Sequence, residues 1–258
     1  GIVNDYNGTT NIETIRESGS LRFRYADKNK TAFDTKLEAR FDEGDVDKHQ
    51  YLTANTLRHK ITEDITVSLR ENYSRTENRT TDKTEALFNE TGLGLALRPV
   101  KWDKWHLLAK YTYLKDIYPV AQVDTSIGPT RTRSDIYALE TAYDLSEYLQ
   151  LVEKYALKDM KETVAGYDET DNQVSLWITR INYNVIKQWY AAVEYRILRQ
   201  TMGEDKKSGF LIEAMHKVNQ NIQLGVGYNF TDFSDDLRRN NDYSSTGFFI
   251  RINTMFEY

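Results

Sequence analysis

Cysteine is absent from this chain of 258 residues, which excludes disulfides and thiolate metal sites. Proline is nearly absent: Pro99, Pro119 and Pro129 are the only three. No stretch approaches the ~20 consecutive apolar residues that a membrane helix needs. Positive charge is in deficit, with 34 Lys and Arg against 39 Asp and Glu and a net charge of -5. The basic face that a nucleic-acid partner requires is therefore not expected. The chain starts at Gly1, without Met or a signal peptide; a removed signal or a preceding region is the expectation. Mean hydropathy is -0.67, a value that taken alone describes a water-soluble protein.

What is abundant contradicts that description. There are 18 Tyr, 10 Phe and 4 Trp, side chains with an apolar body that suit membrane–water interfaces. Apolar residues also recur at every second position, so a membrane-spanning sheet is compatible with low mean hydropathy. Ile222, Leu224, Val226, Tyr228 and Phe230 alternate with Gln223, Gly225, Gly227 and Asn229. Phe248, Ile250, Ile252, Thr254, Phe256 and Tyr258 alternate with Phe249, Arg251, Asn253, Met255 and Glu257. Only an extended strand puts such sets on opposite faces.

The pattern extends upstream. Leu21, Phe23 and Tyr25 oppose Ser20, Arg22 and Arg24; Phe33, Thr35, Leu37, Ala39 and Phe41 oppose Asp34, Lys36, Glu38 and Arg40. Ile65, Val67, Leu69 and Tyr73 oppose Arg70 and Asn72; Leu93, Leu95 and Leu97 oppose Gly92, Gly94, Ala96 and Arg98. Trp105 to Tyr113 opposes His106 and Lys110, Tyr137 to Tyr143 opposes Glu140, and Trp189 to Ile197 opposes Glu194 and Arg196. Segments 50–61, 148–158, 173–185 and 209–216 also read as strands, less cleanly. In 148–158, Glu153 shares a face with Leu149, Leu151, Tyr155 and Leu157, which leaves the outward face undecided unless a bulge intervenes. These segments and a short strand over 1–6, followed by the hairpin signal Asn7-Gly8, predict a transmembrane antiparallel up-and-down β-barrel. It would have about 14 strands (range 12–16), an even number as in single-chain bacterial barrels. The whole of 1–258 reads as one barrel domain.

Connections alternate between short ones (62–64, 101–104, 145–147, 186–188, 218–221) and long ones (42–49, 75–85, 116–134, 159–172, 202–208, 232–245). That asymmetry is the outer-membrane arrangement, with long loops extracellular and short turns and C-terminus periplasmic. All three prolines fall at strand ends or in loops, where no ladder hydrogen bond is lost.

The charges separate a membrane barrel from a soluble sandwich. One face carries Arg22, Arg24, Asp34, Lys36, Glu38, Arg40, Arg70, Arg98, Lys110, Glu140, Glu194, Arg196 and Arg251. Burying these unpaired in a dry core would cost several kcal/mol each, so they are expected to line a wet lumen. The opposite face is too large and aromatic to leave in water. Trp102, Trp105, Tyr148, Tyr183 and Trp189 sit beside short turns, as membrane-interface aromatics would, and Tyr258 ends the last strand. Lipid, lipopolysaccharide and the barrel assembly machinery are then the expected partners.

The segments Leu97-Arg98-Pro99-Val100, Lys110-Tyr111-Thr112-Tyr113-Leu114 and Gly225 to Asp236 resemble the C-terminal barrel region of large bacterial surface proteins. The alternating C-terminus resembles the assembly signal of outer-membrane barrels, which usually ends in Phe where this chain has Tyr258. The resemblance implies an outer-membrane anchor or pore domain of a larger surface protein or complex, with an upstream domain or partner. A self-standing passive diffusion porin and a rim-active hydrolase are the alternatives.

Catalytic chemistry finds little support in the sequence. His49, His59, His106 and His216 are the only histidines, none with a serine suitably spaced on its strand face, and a rim protease would need His49 beside Asp42, Glu43, Asp45 or Asp47. Those acids, and Asp232, Asp235, Asp236 and Asp242, lack a fixed cation-loop spacing. No catalytic residue, metal or cofactor is expected. Asn7, Asn72, Asn78, Asn89 and Asn229 match the glycosylation triplet, by chance in a bacterial strand protein. Gly225 and Gly227 precede no helix and are not a nucleotide fingerprint. The charges of the lumen would either line a weakly selective pore or pair and plug it, with 116–134 the loop best suited to fold inward.

Overall fold

The computed structural model describes residues 2–7, 10–27, 30–44, 47–118, 130–164, 167–186, 188–202, 206–219, 221–230 and 246–254, with backbone alone for 2–7, 10–14 and Tyr118. Every regular element among them is a strand. In order these are β1 (Ile2–Asn7), β2 (Thr10–Ala26), β3 (Thr31–Gly44), β4 (Lys48–Lys60), β5 (Ile65–Asn78), β6 (Lys83–Leu97) and β7 (Trp105–Tyr118). They continue as β8 (Thr130–Asp144), β9 (Leu149–Thr163), β10 (Thr170–Ile186), β11 (Trp189–Gln200), β12 (Lys206–Lys217), β13 (Ile222–Asn229) and β14 (Gly247–Thr254). The 14 strands form one sheet in chain order. The ladders β1–β5 and β10–β14 are antiparallel throughout. Up-and-down order accords with the sequence: every connection except 230–246 is shorter than the dozen or so residues a crossover needs, so each strand pairs with the next.

Contacts group the chain into two compact units. The first holds β1–β5 with 83–95, 110–136 and 159–171; the second holds 96–109, 137–158 and 172–258. The boundary cuts across β6 to β10, where the sequence reads as one continuous domain.

In the first unit the register pairs Leu21 with Leu37, Arg22 with Lys36, and Phe23 with Thr35. It then sets Leu57 opposite Leu69 and Asn55 opposite Glu71. Apolar residues thus meet apolar ones on one face and charged residues meet charged ones on the other, with the polar pair Asn55 and Glu71 set into the apolar face two residues from Leu57 and Leu69. In the second unit Val193 lies between Ile181 and Ile212, and Glu194 between Arg180 and Leu211. Leu21, Phe23, Val193, Val226 and Ile250 all belong to the exposed apolar set, and Phe248 is 86% exposed.

Strands run further than the sequence pattern marked. β2 has 17 residues and β11 has 12, whereas about 9–11 suffice to cross a membrane when tilted. The expected long loops 42–49, 75–85 and 159–172 are therefore mostly strand, and 202–208 is strand from Lys206: the connections are 45–47, 79–82, 164–169 and 201–205. Ladder hydrogen bonds continue past the apolar zone because the polar outer ends still pair, as Lys48 does with Asn78. The loop 116–134 shrinks likewise, since β7 reaches Tyr118 and β8 begins at Thr130; residues 119–129 and the acids Asp232, Asp235, Asp236 and Asp242 lie outside the described residues. Asn7 pairs with Thr10 as the last residue of β1; Gly8, the other half of the expected hairpin signal, lies outside the described residues. The last strand is described to Thr254, leaving Tyr258 outside.

Glycine has a packing role in β13. Gly227 faces Glu213 on β12 and Phe249 on β14. A Cβ there would run into the Phe249 ring and sit 2.7 Å from the Ile212 carbonyl oxygen, whereas at Gly19 it would meet nothing within 4 Å. Phe249 thus lies over a bare stretch of β13, an aromatic ring covering a strand glycine. Gly227→Ala is expected to lower stability in denaturant titration by about 1–3 kcal/mol through overpacking, and Gly19→Ala to leave it unchanged or slightly raised.

Candidate functional site

The charged face of the second unit concentrates its groups in one buried network. Alternation puts Arg180 (β10), Glu194 and Arg196 (β11), Glu213 (β12) and Arg251 (β14) on the same side. Arg180 Nη1 donates to Glu194 at 3.1 Å and its Nη2 donates to Glu213. Arg196 Nε donates to Glu194. Arg251 Nη1 donates to Glu213 Oε1 at 3.3 Å and lies 3.2 Å from Oε2. Oε2 has no hydrogen bond of its own; it is held by charge. Side-chain exposure is 1% for Glu213, 6% for Glu194 and 16% for Arg180.

The bond from Arg251 to Glu213 skips a strand, because β13 separates β14 from β12. It is possible only because Gly225 faces Arg251 and Gly227 faces Glu213, leaving the guanidinium a path across bare backbone. Arg251 also stands 5.7 Å from the Phe249 ring centroid. The network runs on through Arg180 Nε to Asn182 at 2.8 Å, Asn182 to Gln150 at 3.0 Å and Gln150 to Asp144 at 2.8 Å. Beside it, Ala156, Val174, Leu176 and Leu198 form a small apolar cluster with Ala138 and Ile178.

Of the residues expected on a wet face, Glu194 is buried, as is the unexpected Glu213, and at both pairing takes the place of water. Arg180 and Glu213 do not figure in the set expected from sequence. The apolar cluster blurs the alternation of β10, where Val174, Leu176 and Ile178 precede Arg180. On β12, Leu211 precedes Glu213 in the same way. The signal that could have found them lies in the exposed residues Phe210, Ile212, Trp177 and Ile181, which fix the opposite face.

In the first unit the charged face is more open. Arg22 holds Asp34 at 2.9 and 2.6 Å, and Arg24 reaches the same carboxylate at 2.9 Å. Lys36 pairs with Glu38 at 2.7 Å, and Arg40 with Glu38. Arg16 and Asp42, not anticipated, make a two-point pair at 2.6 and 2.8 Å. Of the thirteen residues expected on this face, nine are ion-paired: Arg22, Arg24, Asp34, Lys36, Glu38, Arg40, Glu194, Arg196 and Arg251. Arg70, Arg98, Lys110 and Glu140 have no ion pair among the described residues.

Aromatic residues on the opposite face gather in clusters. Near the short turns Trp102 stacks 6.3 Å from Trp105 and 6.2 Å from Tyr143, and Trp189 lies 4.5 Å from His216. Trp105 Nε1 donates to Thr141 at 2.8 Å. Tyr148 and Tyr183 are exposed there. Further ring pairs, not anticipated from sequence, stand away from the short turns: Tyr155 with Trp177 at the middle of β9 and β10, and Tyr228 with both Phe230 and Phe248 where β13 ends and β14 begins. Glu153 stays on this apolar face with no bulge needed. Its Oε2 accepts from Trp177 Nε1 at 2.8 Å and from Thr179 Oγ1 at 2.9 Å. Glu71 is held similarly by Asn55 Nδ2 at 2.9 Å.

Among the described residues each histidine has its own surroundings. His59 Nδ1 shares a hydrogen bond with Thr31 at 2.9 Å, and His49 sits edge-on to Phe41. Glu77 faces His49 across the ladder but is held by Arg75 at 2.7 Å. The Nδ1 atoms of His106 and His216 are buried without a hydrogen-bond partner. Among the described residues no group of three or more His, Asp or Glu is placed to hold a metal.

Comparison with solved structures places this sheet among the outer-membrane barrels. The siderophore receptor PirA from Pseudomonas aeruginosa superposes on 84% of the chain with a TM-score of 0.60 at 10% identity. A mutant of the ferric enterobactin receptor PfeA from the same organism covers 88% with a TM-score of 0.59 at 10% identity. The RagAB peptide transporter covers 94% with a TM-score of 0.61 at 10% identity. The fold is that of an outer-membrane β-barrel. The chain spans only 41%, 42% and 40% of those three chains. No protein-family model matches the sequence, and no curated protein matches it.

Proposed function

We propose that this chain is an integral outer-membrane barrel that serves as the membrane anchor of a larger surface protein or complex. In this reading the apolar face meets lipid, the charged face lines the interior, and Trp102, Trp105, Tyr148, Tyr183 and Trp189 mark the periplasmic interface. The long connections then lie outside the cell, where lipopolysaccharide and an upstream domain or partner protein would meet them. The barrel assembly machinery would insert it.

The observation that carries the anchor reading is the state of the interior charges. Most are spent on one another, and the strongest set, around Glu213, is buried and bridges β10, β11, β12 and β14. A conduit for solutes keeps its charges solvated and available; an anchor uses them to tie strands together. The second reading, solute passage, is supported by Arg70, Arg98, Lys110 and Glu140, which are outside the ion pairs of the described residues, and by neighbours described as a siderophore receptor and a peptide transporter. Planar-bilayer recording of the purified, folded chain separates the two. The anchor reading expects no steady ohmic steps above those of empty detergent; reproducible unitary steps that scale with salt would replace it with a diffusion channel.

A further inference from the structure

Three polar side chains cross the apolar face of the first unit in one row. Thr35 on β3 stands opposite Asn55 on β4, and Asn55 opposite Glu71 on β5. Thr35 Oγ1 donates to Asn55 Oδ1, and Asn55 Nδ2 donates to Glu71 Oε2 at 2.9 Å. The row lies about five residues in from the short-turn ends of these strands, ~13 Å along the membrane normal at ~3.3 Å per residue and ~40° tilt. That is the mid-depth of a ~25 Å apolar band. Phe33, Leu57 and Leu69 flank the row on one side, and Leu37, Thr53 and Tyr73 on the other. A carboxylate exposed to hydrocarbon is strongly disfavoured unless other polar groups meet it. The row is not saturated: the second N–H of Asn55 and Oε1 of Glu71 have no hydrogen bond among the described residues.

The order of groups along the row selects its occupant. Two copies inserted with the same orientation are related by a two-fold axis along the membrane normal, and the same patch meets itself. With the axis at Asn55, the two rows meet in reverse: Thr35 against Glu71, Asn55 against Asn55, Glu71 against Thr35. Each amide then donates its second N–H to the other's Oδ1, and one proton joins Glu71 Oε1 to the Thr35 hydroxyl oxygen of the second copy. The two carboxylates stay at least ~10 Å apart, two strand spacings. The same axis sets Phe33 against Leu69, Leu37 against Tyr73 and small Ala39 against long Arg75. Gly19 and Ala39 help to line a hollow of about 410 Å³ there, which leaves the larger side chain room. We propose that the face of β3, β4 and β5 centred on Asn55 is an interface between two copies of this chain within the membrane. This rests on the apolar face meeting lipid elsewhere, as at Val193.

The test is cross-linking of the whole folded chain in vesicles at high lipid excess, with single cysteines and a two-headed thiol reagent of about 10 Å, the spacing of two facing sheets. Thr53→Cys, on β4 beside the axis, should give dimers on gels at about ten times the yield of Val193→Cys on β11. Asn55→Leu with Glu71→Leu in the Thr53→Cys chain should lower that yield about ten-fold, the scale of two intramembrane polar contacts. A fluorophore at Val193→Cys, quenched by lipids brominated in mid-chain, reads the lipid contact separately. Strong quenching at 193 with equal cross-linking at 53 and 193 would overturn the interface, without recourse to any change in the row, and leave the lipid reading standing. A dimer yield that the two leucines do not alter would overturn it as well. Absence of quenching at 193 would overturn the lipid reading on which the interface rests.

Discussion

Replacing Glu213 with alanine is expected to destabilise the folded chain by about 3–5 kcal/mol, the loss typical when one member of a buried ion pair is removed. Glu213 accepts from Arg180 and Arg251 at once, with 1% side-chain exposure. Without it both guanidiniums lose a counter-charge, and Arg180 is left in a place that water barely reaches. Denaturant titration of the chain in detergent or vesicles reads the effect. The double change Glu213→Met with Arg180→Met should recover much of the loss, because a buried pair replaced by apolar side chains of similar volume is close to neutral. Asp34→Ala is the contrast. Asp34 also takes two arginines, but at side-chain exposures of 51% and 64% for Arg22 and Arg24, and the expected change is below about 1 kcal/mol. Equal effects at Asp34 and Glu213 would remove the distinction between the two parts of the charged face.

Val193→Arg is expected to cost about 2–4 kcal/mol, the scale for arginine at the mid-depth of a lipid-facing strand. Val193 lies halfway along the apolar run Trp189 to Ile197 and is 42% exposed. On a water-facing surface the same change would be almost free. Ser20→Arg, on the charged face of β2 beside Arg22, should shift stability by no more than about 0.5 kcal/mol. The pair of variants is read in vesicles by the same denaturant titration. A small effect at Val193 would place that face in water.

Period-two patterning makes the strands legible in the sequence because β-sheet geometry leaves little choice. Where one face is apolar and the next residue charged, as at Leu21–Arg22–Phe23 or Val193–Glu194–Tyr195, strand identity and face are both forced. Strand length is not legible in the same way. Outside the apolar zone both faces are polar, so residues such as Lys48, Thr76 and Asp159 carry no alternation although the ladder continues through them. The buried network is half visible. Glu194, Arg196 and Arg251 stand out against apolar neighbours, whereas Arg180 and Glu213 share their face with Val174, Leu176 and Leu211 and do not. Its compactness depends on Gly225 and Gly227, and the absence of a side chain announces nothing about which long residue will cross above it. Glu153 defeats the face assignment for the opposite reason. A single charge in an apolar run looks like an error of register until its donors, Trp177 and Thr179, are found on the neighbouring strand.

The absence of cysteine allows the central claim to be examined residue by residue. Single cysteines at 20 to 25 of β2, each carrying a nitroxide in lipid vesicles, report collision with oxygen, which concentrates in hydrocarbon, and with a water-soluble nickel chelate. Oxygen access should peak at 21, 23 and 25 and nickel access at 20, 22 and 24, a strict period of two with opposite phase. In-phase profiles, or high nickel access at 21 and 23, would mean that both faces of the sheet meet the same medium and would contradict the transmembrane account.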